Sequence, residues 1–188
     1  MTQLYCDSVM EHALPLCDSQ RAGISARLAA IGVEYAHLAL PKVRFGRDAG
    51  QDEVIGSYIE PLDRLLSRLD SVELEVTSVA PGHARLARIE RELMTGHAHD
   101  VTEAQVLVHG GGVLFMRAGN TVFALDCEPG DYVRVPAGLV HWFAMDTRRG
   151  FRTIRLFENE ARPRISQRGH DMRGRYRLSI GQRQSMRS

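Results

Sequence analysis

The chain has 188 residues, a mass of 21.0 kDa and 44% hydrophobic against 25% charged residues, the balance of one globular domain with an appendage. That length buries a sizeable core without disulfides or a structural metal, and the composition excludes wholesale disorder, collagen and coiled coil. The net charge of +1 is uneven: residues 161–188 hold eight arginines and one acid, for +7, and leave −6 on the rest.

In chain order, residues 1–20 show no clear period and are expected to form a loose arm. Arg21 to Ile31 reads as a helix through Ile24, Leu28 and Ile31, with Asp18 or Ser19 as cap and Gly32 as stop. Val33 to Leu40 reads as a strand and 41–50 as a loop. Asp52 to Leu69 has the strongest helical face, made by Val54, Ile55, Tyr58, Ile59, Leu62, Leu65, Leu66 and Leu69. Pro61 lies inside it and is expected to kink or split it. Val72 to Val79 alternates as a strand, and His83 to Met94 reads as a short helix. After Gly96 the character changes. Short apolar runs follow at intervals of about ten residues, separated by Gly110-Gly111-Gly112, Gly119-Asn120 and Pro129-Gly130-Asp131, as in a sandwich or barrel. They are Gln105–Val108, Val113–Phe115, Thr121–Leu125, Tyr132–Val135, Trp142–Met145 and Arg152–Phe157. The segment after Asn159 lacks a strong period and is expected to lie on the surface or be disordered.

No apolar run approaches the ~18 residues of a membrane span, and Met1 to Gln20 does not read as a secretory signal. Cys6, Cys17 and Cys127 are odd in number and widely spaced, which predicts free thiols and a cytoplasmic setting. The arginine run has a single aromatic, Tyr176, and no zinc-finger spacing, so neither a membrane nor a nucleic-acid partner is expected. A tail folding over a barrel mouth is the alternative use for it.

The chemistry lies in four residues. His97 and His99 are two apart, so on an extended segment they share a face. Glu103 follows four residues later, and His141 opens a later strand. Three imidazoles and a carboxylate suit a divalent first-row metal such as Fe, Ni, Mn, Co or Zn. In an octahedral site they leave two positions open for a chelating substrate, or for substrate and dioxygen. The bland alternative for a lone His-x-His is a pair of solvated histidines. Gly110 lies seven residues after Glu103. The run Gly130, Pro136, Gly138, His141 places a turn, a strand, a tight bend and a histidine in succession.

Together these segments resemble the two motifs of the cupin superfamily, H-x-H-x3-E-x6-G and G-x5-P-x-G-x2-H. Arg91 stands where the first motif often has glycine, and Met145 where the second often ends in asparagine. The stretch VLVHGGGVLFMRAGNTVFALDCEPGDYVRVPAGLVHWFAMD, followed by GFRTIRLFENE, resembles the barrel core of the acireductone dioxygenase family. ARLAAIGVEY and VIGSYIEPLDRLL resemble that family's N-terminal helix–strand–helix. The likeness runs from Arg21 to Glu160 and divides the chain into an arm (1–20), a catalytic domain (21–160) and an arginine-rich tail (161–188). It implies a mainly β fold, the cupin double-stranded β-helix or jelly-roll barrel, with an N-terminal α/β extension. It also implies His97, His99, Glu103 and His141 as ligands to one Fe(II) or Ni(II), with no organic cofactor. The partners implied are a small enediol substrate and dioxygen, with oxidative cleavage of a C–C bond.

Two departures lie beside the expected metal. The family commonly carries an acid before the first histidine, where this chain has Gly96, and an arginine two after the glutamate, where it has Gln105. Arg155 matches a family arginine on the last barrel strand. Gln105, Phe143 and Arg155 are the expected substrate-binding residues. The losses predict a specialised member acting on a small molecule other than the family's methionine-salvage acireductone, in a biosynthetic pathway. A non-redox metal enzyme (an isomerase, epimerase or lyase) and a binding cupin without turnover are the alternatives. His109 is a candidate base for the former, whereas His12, His37, His83 and His170 have no partner spacing and read as surface histidines.

Overall fold

A computed structural model describes residues 1–8, 14–46, 49–68, 72–148, 150–158 and 164–171. Twelve strands and three helices follow in the order β1 (Gln3–Ser8), β2 (Leu16–Asp18), α1 (Arg21–Ala29), β3 (Glu34–His37), α2 (Gln51–Leu66), β4 (Val72–Val79) and α3 (Leu86–Leu93). Then come β5 (Thr95–His99), β6 (Glu103–Gly110), β7 (Gly112–Ala118), β8 (Thr121–Cys127), β9 (Asp131–Val135), β10 (Val140–Met145), β11 (Phe151–Glu158) and β12 (Ile165–Asp171). They form two antiparallel sheets. One has seven strands in the order β12-β5-β10-β7-β8-β1-β2, the other five in the order β3-β9-β6-β11-β4.

Alternation along the strands decides what each sheet face buries. Leu114 and Met116 of β7 and Leu125 of β8 meet Tyr35, Val133 and Val135 of the opposite sheet, so the two sheets pack face to face. The outer face of the five-stranded sheet is covered by α2. Its Val54, Tyr58, Leu62 and Leu65 recur every three to four residues and pack on Val106, Val108, Ile154 and Leu156. Each such buried side chain contributes about 1.5–3 kcal/mol. The helix runs unbroken from Gln51 to Leu66 with Pro61 inside it, so the expected split does not occur. Packing of its four buried residues holds the helix together across the proline. Asp52 and Glu53 in its first turn and Arg64 in its last complement the helix dipole.

Three sequence expectations are corrected here. Residues 3–8 are no loose arm: β1 pairs with β8 along six residues, from Gln3 opposite Asp126 to Ser8 opposite Thr121. Cys6 and Cys17 are joined in a disulfide that ties β1 to β2. Only Cys127 is a free thiol, and the argument for a reducing, cytoplasmic setting loses its basis. His37 is not a surface histidine. Its Nδ1 lies 2.8 Å from Oδ1 of the buried Asp131, which also accepts hydrogen bonds from the Tyr35 hydroxyl (3.0 Å) and the Thr2 hydroxyl (2.8 Å to Oδ2). This carboxylate pins β1, β3 and β9 together. In the tail, β12 pairs with β5; residues 172–188 lie outside the described residues.

Closing a loop of about a dozen residues, the disulfide is expected to stabilise the fold by about 3 kcal/mol. Chemical unfolding of Cys6→Ser beside the oxidised wild type measures this. Equal midpoints would show that the hydrogen bonds of β1 suffice.

Candidate metal centre

β5 and β10 meet at one register pair, His141 opposite His97. His97 and His99 alternate onto the inner face of β5, and His141 and Phe143 onto that of β10. The intervening Trp142 points the other way, into an outer cluster with Phe115 and Val113. The bend before β10 needs Gly138, whose φ is +79°, a conformation L side chains rarely adopt. The Gly138 N–H donates to the His99 carbonyl at 2.9 Å and docks the bend against β5. Gly112 serves the site differently: a Cβ there would run into the Phe143 ring.

The imidazoles are held by main chain. His97 Nδ1 donates to the Thr95 carbonyl at 2.8 Å and His141 Nδ1 to the Leu139 carbonyl at 2.9 Å. A carbonyl only accepts, so both Nδ1 atoms carry a proton, which leaves Nε2 as the ring atom free to ligate. The buried Nδ1 of His99 has no hydrogen-bond partner among the described residues, while its Nε2 lies 2.9 Å from Glu103 Oε2. One ligand atom from each of the three histidines falls within 4.8 Å of the other two. Burial, with the neighbouring His141 and His99, lowers the pKa of His97 and favours its neutral, ligating form.

Glu103 opens β6 in the other sheet and faces the histidines across the interior. Its Oε2 is 3.8 Å from His141 Nε2. Its Oε1 accepts hydrogen bonds from Arg155 Nε at 2.9 Å and Nη2 at 2.7 Å. Burial pushes its carboxyl up, but the adjacent imidazoles of His141 and His99 and the charge of Arg155 more than reverse this and hold it well below the usual range. Three imidazole nitrogens and one carboxylate oxygen form a donor set that fits a divalent first-row cation.

The four residues border a cavity of about 220 Å³ that is also lined by Gln105, Phe143 and Arg155. Thr77, Leu93, Leu114, Phe151 and Thr153 complete its wall. Sequence reasoning missed these five. Phe151 and Thr153 were within reach, because they alternate with Arg155 on one face of β11. Phe143 and Phe151 pack at 5.3 Å between ring centroids. His109 is exposed at the far end of β6, outside the cavity wall.

Comparison with known proteins bears on this arrangement. The family model described as "ARD/ARD′ family" matches residues 31–163. The chain belongs to that family. An acireductone dioxygenase of Pseudomonas fluorescens (strain Pf0-1) is 33% identical over 154 residues, covering 81% of this chain and 84% of that protein. One from Hydrogenobaculum sp. (strain Y04AAS1) is 32% identical over 134 residues, covering 71% of this chain and 73% of that protein. Among solved structures, the acireductone dioxygenase from Bacillus anthracis "with cadmium ion in active center" superposes with a TM-score of 0.73 at 21% identity. The match covers 88% of this chain and 98% of that one, and establishes the cupin fold. Family membership makes this chain a metal-dependent dioxygenase. No helix among the described residues is long and apolar enough to cross a membrane.

Proposed function

We propose that His97, His99, Glu103 and His141 bind one divalent ion, Fe(II) or Ni(II), and that the chain uses dioxygen to cleave a C–C bond of a small chelating enediol. The observation that carries this reading is the division of the donor set across one cavity. Three histidine nitrogens come from the seven-stranded sheet and one carboxylate oxygen from the five-stranded sheet, with free space beside them. When bound, such an ion supplies Lewis-acid and template chemistry for an electron-rich enediolate and dioxygen.

The protein's own residues do the rest. The Thr95 and Leu139 carbonyls keep Nε2 of His97 and His141 aimed inward. Phe143, Phe151, Leu93 and Leu114 give an apolar wall that excludes water from the reacting face. Gln105 offers an amide to a substrate oxygen, in place of a fixed positive charge. Outside the four proposed ligands, Arg155 is the only ionisable residue in the cavity wall among the described residues. That leaves an isomerase or epimerase without a separate proton carrier, and favours the oxidative reading. We infer from Gln105 and Gly96 that the substrate differs from the salvage-pathway acireductone.

Oxygen uptake by Fe(II)- and Ni(II)-loaded protein tests the proposal. Metal-dependent uptake is expected with an enediol, and at least tenfold slower with the salvage acireductone than in the Pseudomonas fluorescens relative. Full anaerobic turnover would overturn the oxidative reading. Equal rates with the acireductone would overturn the altered substrate.

A further inference from the structure

We propose that Arg155 is a positioning residue for Glu103, keeping that carboxylate a one-oxygen ligand and its neighbouring coordination position free. The inference rests on the metal-binding reading above. Both donors of the Arg155 fork, Nε at 2.9 Å and Nη2 at 2.7 Å, go to the same oxygen, Oε1. The other oxygen, Oε2, faces His99 and His141 at 2.9 and 3.8 Å. The carboxylate is thus divided, with one oxygen committed to the guanidinium and one presented to the histidines.

The backbone sets up this division. Arg155 of β11 stands directly opposite Gln105 of β6, and Glu103 is two residues along on the same face. That diagonal is within reach of a long side chain. The Arg155 guanidinium also lies over the Phe157 ring, 4.9 Å from its centroid, which fixes the plane of the fork. With only 11% of the Glu103 side chain exposed, water offers little substitute for this partner.

The consequence is a count of positions. Three nitrogens and one oxygen leave two sites open on a six-coordinate ion, whereas a carboxylate binding through both oxygens would leave one. Two opposing effects act on affinity. The arginine charge repels a cation, and the held geometry favours it. Groups that orient metal ligands are commonly worth about 10–100-fold in metal affinity, so orientation is expected to win.

The test uses the full chain with Co(II) as probe. Metal affinity is read by chelator competition and coordination number by visible absorption. Arg155→Met is expected to weaken Co(II) binding about 10–100-fold and to shift the spectrum. Arg155→Lys keeps the charge but not the fork, and is expected to recover only part of the loss. Unfolding of the metal-free variants checks that each is folded; if Arg155→Met is not, Arg155→Lys carries the test alone. Wild-type affinity and spectrum in a folded variant, with weakening confined to acetohydroxamate as a chelating probe, would overturn the proposal in favour of pure substrate contact. Tighter metal binding would overturn it too. A wild-type chain that binds no Co(II) would overturn the metal centre itself, and the proposal with it.

Discussion

His97→Ala and His141→Ala are each expected to weaken metal binding by more than about 100-fold and to remove metal-dependent oxygen uptake. The bound follows from the lesser role of groups that merely orient a ligand, for which about 10–100-fold is usual. Each substitution here removes one of four proposed donors outright, together with the backbone anchor that aims it. His97 and His141 face each other in register across β5 and β10, with ring centroids 4.7 Å apart. The remaining three side chains cannot close over the gap without shifting a strand. Metal content after dialysis and oxygen-electrode traces measure both effects. His109→Ala, exposed at the end of β6, is the control and should leave both unchanged. Retained metal in His97→Ala would remove that residue from the ligand set.

Trp142→Ala is expected to lower the stability of the metal-free protein by about 3–5 kcal/mol. Trp142 is 1% exposed and stacks on Phe115, with ring centroids 5.3 Å apart and planes 3° from parallel. Val113, Ala144, Leu14 and Met94 belong to the same cluster and come from both ends of the sheet's outer face. Small neighbours such as Ala144 cannot collapse into the space an indole leaves, so most of the cavity would persist. Trp142→Phe should lose appreciably less. Urea unfolding with oxygen-free, metal-free samples separates this from any loss of ligation. A loss under 1 kcal/mol for the alanine variant would show that β10 is held by its hydrogen bonds and not by this packing.

The histidines were legible in the sequence because their signal is local. Two residues' spacing on a strand sets a shared face, and a glycine and proline at fixed offsets mark the bend that delivers His141. The helical face of α2 was legible for the same reason, although the proline inside it misled. What could not be read depends on contacts distant along the chain. Glu103 and Arg155 are 52 residues apart, and only the β6–β11 register brings them together. Strand β1 mixes polar and apolar residues without a clear period and β2 has three residues; the place of β1 beside β8 is supported by the disulfide to β2 and by the hydrogen bonds of Asp131. The β12 strand is polar, with Ile165 its only large apolar residue, so hydrophobic alternation gave no hint that it would pair with β5.

The carbonyls that aim His97 and His141 belong to residues two positions earlier in the chain, Thr95 on β5 and Leu139 in the bend before β10. Every residue type carries that carbonyl, so no side-chain substitution at 95 or 139 deletes the anchor. Substitutions in the wall of this cavity therefore leave two of its proposed ligands aimed as they are. The aim of those two histidines is encoded in backbone, whereas the contacts offered to a substrate are encoded in side chains.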